Sequence, residues 1–134
     1  MSWKIALQED IIGFNPETAS SNRVKRKKEL KKALSKKIGK QHQKILKRVA
    51  GRELLIDVCF NLYLSDQISN SKKDLDNLLK ILLDVLSVNM VNGQEKLKGL
   101  GFLKDDSQVF EIHCKKKIIN NPKNAGLNLK ISYR

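Results

Sequence analysis

Hydrophobic and polar residues alternate in several stretches of this chain, and each alternation predicts a β-strand. The clearest stretch is "ELLIDVCFNLYLSD", in which Ile56 and Phe60 fall on one side and polar residues fall on the other. "WKIALQ" near the start predicts a short strand with Trp3, Ile5 and Leu7 on one side. "SQVFEIHCKKKII" and "LNLKISY" also alternate, and the turn-forming "NNPKNAG" between them predicts an antiparallel hairpin.

Two other stretches have helical periodicity. Between about residues 24 and 49 apolar residues recur at three- and four-residue spacings or their multiples, which predicts an amphipathic helix with a break near Gly39. A polar connector, "QISNSKK", leads into a second, leucine-rich helix over about residues 75–90. The stretch "NGQEKLKGLG" at 92–101 is predicted to be a flexible excursion, because it holds three glycines.

These elements predict an α+β fold with two layers, in which a small mixed or antiparallel sheet packs against two main helices. The length of 134 residues is that of a single domain, 1–134. No apolar run reaches the length of a membrane span, because Asp84 interrupts the longest one. Cys59 and Cys114 lack metal-ligand spacing and are expected to be reduced thiols. We therefore expect a soluble, cytoplasmic protein with no membrane partner.

The net charge of +13 is concentrated in one segment. Residues 23–48 hold 13 of the 27 basic residues, opposed only by Glu29, and the remainder of the chain is nearly neutral. Such a field attracts a polyanion through counterion release, which favours nucleic acid as the partner. The alternative, a lysine-rich face kept for solubility, stays open at this stage. The predicted nucleic-acid contacts are basic residues of this segment, together with one lysine of the connector that precedes the second helix: Arg23, Lys25, Arg26, Lys27, Lys28, Lys31, Lys32, Lys36 and Lys73.

An acidic stripe runs along the second helix. Asp76, Lys80 and Asp84 are four residues apart, so they share one helix face. They could be ordinary helix salt bridges, and Asp74 and Asp76 could be N-terminal caps. If Asp74 is still extended where Asp76 begins the helix, however, the two carboxylates can converge.

A second acidic cluster, Asp105 and Asp106, precedes the strand that follows. If that strand runs beside the helix, a third carboxylate reaches the same place. Three carboxylates repel one another unless a hard divalent cation lies among them, and Mg²⁺ prefers oxygen ligands.

The order of these residues resembles the RusA family of Holliday junction resolvases. "KKDLDNLLKILLDVLS" followed by "LKDDSQV" matches the family's pattern over about residues 72–112: Asp-x-Asp-Asn, a lysine four residues after the second aspartate, an aspartate one turn further, then Asp-Asp-x-Gln-Val. The connector at 87–104 is longer than the family's, and residues 23–48 are more basic than the resemblance requires.

The resemblance implies a metal-dependent endodeoxyribonuclease that resolves four-way DNA junctions by paired nicks as a homodimer. It implies that Asp74, Asp76 and Asp106 are catalytic metal ligands, with Lys80 as their essential partner. It also implies that Asp105, as a further metal ligand, and Asp84 form the supporting shell. The implied cofactor is Mg²⁺, with Mn²⁺ as a substitute. The alternatives are a non-catalytic basic nucleic-acid-binding protein and a related nuclease that acts on another branched DNA.

Overall fold

The computed structural model of this chain describes residues 2–16, 23–63, 75–91 and 96–134. In that part of the chain the helices and strands follow in this order: β1 (Lys4–Ile12), α1 (Arg23–Ile38), α2 (His42–Val49), β2 (Leu54–Tyr63), α3 (Leu75–Leu86), β3 (Val109–Ile119) and β4 (Gly126–Tyr133).

The four strands described form one mixed sheet in the order β1-β4-β2-β3. β4 is antiparallel to both β1 and β2, whereas β3 runs parallel to β2. The helices cover one side of this sheet, which confirms the predicted two-layer α+β class. A parallel pair needs a crossover connection, and α3 supplies it between β2 and β3.

The predicted hairpin of the last two strands is wrong. β3 and β4 are not neighbours, because β2 lies between them. Leu54 illustrates the arrangement, since it is level with Val109 of β3 on one side and with Tyr133 of β4 on the other. The apolar alternation of both strands is compatible with either arrangement, so it did not distinguish them.

β2 is the centre of the core. Ile56, Val58, Phe60 and Leu62 are almost fully buried, while the residues between them are half-buried, as the alternation predicted. The buried faces of α1, α2 and α3 pack on this side of the sheet through Leu34, Ile45, Leu82 and other aliphatic residues. The hydrophobic effect of this burial holds the two layers together.

The predicted facing of β1 is wrong at its start. The pairing of β1 with β4 shifts between Ile5 and Leu7, which is a β-bulge. As a result the neighbours Ala6 and Leu7 are both buried, and Ile5 is 52% exposed. A bulge adds one residue to one strand and changes which side chains face the core.

The predicted break in the basic helix is confirmed. α1 ends at Ile38, a short 3₁₀ turn spans Gly39–Gln41, and α2 follows. Gly39 has φ of 55°, a value that disfavours residues with a Cβ and interrupts the helix at this point. Of the helices described, none has both the length and the apolar character needed to cross a bilayer.

The prediction of a flexible excursion over 92–101 is wrong for its second half. Residues 92–95 lie outside the described part, but the backbone from Leu97 to Leu103 is hydrogen-bonded to the end of α3 and the residues after it. Leu100 donates to Val85 O and Leu103 donates to Leu86 O. Leu100, Phe102 and Leu103 are buried, so this segment is part of the core.

Candidate nucleic-acid interface and acidic site

Four lysines of α1 lie along one side of that helix. Lys25, Lys28, Lys32 and Lys36 are exposed and are three or four residues apart, so they form a single stripe, here called the basic stripe. It extends over about 16 Å of helix, the length of about five base pairs of duplex DNA. Exposed lysine side chains are suited to contacts with DNA phosphates, and such contacts carry no base-specific information.

The other basic residues predicted to bind nucleic acid are placed differently. Arg26 is half-buried and pairs with Glu29 at 3.3 Å, and Lys31 is half-buried. Arg23 begins α1, but its side chain lies outside the described part, as does all of Lys73.

Lys27 is buried between α1 and α3. Its Nζ lies 2.8 Å from Oδ2 of Asp84 and donates to the carbonyl of Met90 at 2.9 Å. Its ammonium is therefore a structural link between two helices and does not belong to the basic stripe. Asp84, expected to support the acidic site, makes this contact instead.

Asp76 and Lys80 are exposed on the first turns of α3. Leu78, Ile81 and Leu82 of the same helix are buried, and this apolar face fixes the direction in which the polar residues point. Asp76 is one of the first residues of the helix, where a negative charge is stabilised by the helix dipole. Asp74 lies outside the described residues, so its predicted convergence with Asp76 stays a prediction.

Asp105 caps the 3₁₀ turn Asp106–Gln108, which leads into β3. Its Oδ1 accepts from the backbone N–H of Ser107 at 2.9 Å, and the Gln108 side chain reaches back to the backbone of Asp105. These hydrogen bonds from Ser107 lower the pKa of the Asp105 carboxyl below its ordinary value. Asp106 is exposed beside it.

Asp76 lies at one end of α3, and Asp105 and Asp106 lie near the other end in a single chain. Leu103, just before Asp105, donates its backbone N–H to Leu86, the last residue of α3, whereas Asp76 is the second residue of that helix. Asp76 and Leu86 are ten positions apart along the helix, which is about 15 Å.

Positions along β2 also place Asp76 and Asp106 at opposite ends. Leu78 lines the same small cavity as Phe60, near the end of β2. Val109, just after Asp106, is level with Leu54 at the start of β2.

Because of this separation, the described carboxylates of one chain do not come together as a metal site. Among the residues described, no group of three His, Cys, Asp or Glu side chains could hold a metal ion. The carboxylates expected to bind Mg²⁺ therefore do not form a cage from the described residues of one chain. Asp76 stands near the Phe60 end of β2, while Asp105 and Asp106 stand near the Leu54 end.

The sequence reasoning missed a polar network on the side of the sheet that carries no helices. Asn61 donates to Asn128 at 3.0 Å, and Asn128 donates to Asp10 at 2.8 Å, so the network joins three strands. It borders a shallow depression of about 500 Å³ whose rim carries Lys115, Lys117 and Lys130. The polar residues that alternate with the apolar ones along each strand were the sequence signal for this surface.

Comparison with protein-family models, with curated proteins and with solved structures gives no match.

Proposed function

We propose that this protein is a structure-selective endodeoxyribonuclease that binds branched DNA, a four-way junction in particular, and nicks its strands. The observation that carries the proposal is the placement of Asp76 and Lys80 on one exposed helical face, within a motif that resembles the RusA resolvases. The basic stripe supports it, because it supplies the phosphate contacts that such a substrate requires.

Both features belong to the helical layer of the fold. α1 carries the basic stripe, α3 carries Asp76 and Lys80, and the contact between Lys27 and Asp84 holds these helices together. A DNA backbone held along α1 therefore lies against the same layer that presents the acidic face of α3.

The chemistry proposed for the chain's own residues is limited to two roles. The Lys80 ammonium donates to a phosphoryl oxygen and stabilises the negative charge that develops during cleavage. Asp76 lies about one helical turn from Lys80 on the same exposed face, and its proposed role is to orient that ammonium when DNA is bound. Dependence on Mg²⁺ or Mn²⁺ is part of the proposal and rests on the motif, since the described residues of one chain do not gather the ligands.

The test compares four-way, flap and linear duplex DNA of matched sequence, with and without Mg²⁺. We expect nicking of the four-way junction only when Mg²⁺ is present. Asp76→Asn and Lys80→Ala should each lower the nicking rate at least about 100-fold and change junction binding less than about threefold. Glu9→Gln, which removes a carboxylate from β1, is the matched control and should nick normally.

A non-catalytic basic nucleic-acid-binding protein is the second candidate, and the separation of Asp76 from Asp105 and Asp106 in one chain favours it. It predicts junction binding with no nicking under any metal condition. Cleavage of flaps in preference to junctions would instead indicate a related nuclease with another branched substrate.

A further inference from the structure

Arg52 lies in the short connection between α2 and β2, in contact with the turn Asp106–Gln108, here called the acidic turn. Its backbone carbonyl accepts from Nε2 of Gln108 at 3.3 Å, and the same nitrogen donates to the carbonyl of Val49 at 3.4 Å. Val49 is the last residue of α2. The Gln108 side chain thus fixes Arg52 and the end of α2 against the acidic turn.

The guanidinium of Arg52 lies against an aromatic ring. Its central carbon is 5.8 Å from the centre of the Tyr133 ring, which is within the range of a cation–π contact. Tyr133 ends β4 and packs partly against the core, so the ring has a fixed position. A ring contact occupies one face of a guanidinium and leaves the N–H donors, which lie in its plane, available to another ligand.

Those donors are not used within the chain. Arg52 is exposed, and none of the described residues forms an ion pair or a hydrogen bond with its guanidinium. Arg134, at the same end of the sheet, differs in this respect. Its guanidinium lies 4.1 Å from the centre of the Trp3 ring, but its Nε is 3.5 Å from the carboxylate of Glu53. The charge of Arg134 is therefore balanced by a neighbour, whereas that of Arg52 is not.

The exposed side of α2 adds positive charge next to Arg52. Lys44 is three residues from Lys47 and four from Arg48, and all three are exposed, so they share one side of the helix. Arg48 donates to the carbonyl of Ala6 at 3.3 Å, while Lys44 and Lys47 make no contact of this kind with the described residues. The row runs towards the end of α2 that contacts the acidic turn. None of its members belongs to the basic stripe of α1.

We infer that Arg52 binds a phosphate of the DNA backbone and, together with Lys44 and Lys47, guides a strand to Asp106. The part of this inference that concerns Asp106 rests on the proposed function. A guanidinium presents its N–H groups as a fixed fork, which matches two oxygens of one phosphate. Arg52 binds the substrate and takes no part in proton transfer.

The surroundings of Arg52 favour the phosphates of a nucleic acid over an isolated carboxylate. A carboxylate also fits the guanidinium fork, but a single one would leave the two lysines of α2 unused. A nucleic-acid strand carries a charge at every nucleotide, so it contacts all three cations. Asp105 and Asp106 repel a strand that approaches the acidic turn, and the positive charge of Arg52 offsets part of that repulsion.

Binding of the four-way junction in metal-free buffer is the first measurement. Arg52→Gln should raise the dissociation constant about tenfold, because a charged hydrogen-bonded contact is lost. Arg52→Lys should recover part of the affinity, since it retains the charge but lacks the fork. Arg134→Gln is the matched control, because it removes the same charge and an equivalent ring contact, and it should change binding less than about twofold. Equal effects of the two glutamine variants, both folded, overturn the inference.

Chemical modification tests the contact directly. Phenylglyoxal reacts with accessible guanidinium groups and should modify Arg52 in the free protein. Junction DNA at about 100 times its dissociation constant should slow this reaction at least about tenfold, as followed by mass spectrometry of peptides. The reaction of Arg134 should not change when DNA is added. Equal rates for Arg52 with and without DNA overturn the inference.

The position of the strand is tested by tethered cleavage. Asp106→Cys, in a background with Cys59→Ser and Cys114→Ser, is labelled with an iron–EDTA group whose hydroxyl radicals cut nearby DNA. Cuts at defined nucleotides of the junction are expected, and Arg52→Gln should reduce them at least about fivefold, whereas Arg134→Gln should not. Absence of cuts in junction DNA that the labelled protein binds overturns the placement beside Asp106.

These results are separable from those for the proposed function, because none of the three measurements requires nicking. Protection of Arg52 by DNA in a wild type that never nicks contradicts the proposed function and leaves the phosphate contact standing. Nicking of the junction with Arg52 unprotected contradicts the inference alone. A wild type that binds no DNA overturns both.

Discussion

Lys27 of α1 and Asp84 of α3 form an ion pair across the interface of two helices, with Nζ and Oδ2 2.8 Å apart. The same ammonium donates to Met90 O at 2.9 Å, so it joins α1 both to α3 and to the segment after it. A lysine in the middle of the most basic segment of the chain is thus a structural residue.

Replacement of Lys27 by Met should destabilise the protein by about 1–3 kcal/mol. Methionine retains much of the aliphatic stem but leaves Met90 O without its buried donor. Asp84 is half exposed and can be hydrated, which keeps the loss below that of a fully buried pair. Urea unfolding measures the change. Lys28→Met, at the adjacent exposed position, is the control and should stay within about 0.5 kcal/mol of the wild type.

Replacement of Gly99 by Ala should destabilise the protein by about 2 kcal/mol. A Cβ at this position would overlap the carbonyl oxygens of Ser87 and Val85, so the segment would have to move away from the end of α3. Thermal unfolding should show the loss, and Lys98→Ala, at the exposed neighbour, should not. Equal stability of Gly99→Ala and the wild type would contradict the close packing of this segment.

Junction binding should depend on salt through the basic stripe. In Lys28→Gln, Lys32→Gln and the double variant, the slope of log Kd against log salt should fall by about 0.9 for each phosphate that a lysine no longer neutralises. Lys4→Gln, which removes an exposed lysine from β1, should leave the slope unchanged. Equal effects of all these variants would indicate non-specific attraction by net charge.

Asp105 should contribute to stability only while it is ionised. Hydrogen bonds from Ser107 hold the pKa of its carboxyl below the ordinary value of 3.8. Because the pKa is lower in the folded state, the ionised carboxyl stabilises the protein at pH values above its ordinary pKa. This contribution is lost as the pH falls through the folded-state pKa. Asp105→Asn should therefore be less stable than the wild type at pH 7, and the difference should shrink towards pH 3. Urea unfolding at several pH values measures it; a constant difference would contradict the assignment.

The parts of the fold that sequence patterns predicted are those that local spacing determines. β2 alternates because one side faces the helices, and Gly39 marks the helix break because its positive φ is a local property. Both features follow from a few neighbouring residues, which is the range over which a periodicity carries information.

The parts that were missed depend on distant residues. β3 and β4 each have a strand pattern, but the position of β2 between them is a property of the whole sheet. Leu100 and Phe102 are buried because the end of α3 lies beside them, although their glycine-rich surroundings are typical of a loop. Lys27 is buried by a partner 57 positions along the chain, which charge density alone does not reveal.

The position of β4 has a consequence for how the protein folds. β4 lies between β1 and β2 in the sheet, so the four-stranded sheet cannot form until residues 126–133 have been synthesised. β1 and β4 are separated by more than a hundred residues, and pairing over such a long range slows folding. Shortened chains that stop before Gly126 would hold two apolar strands with no common neighbour, and we expect them to aggregate during synthesis.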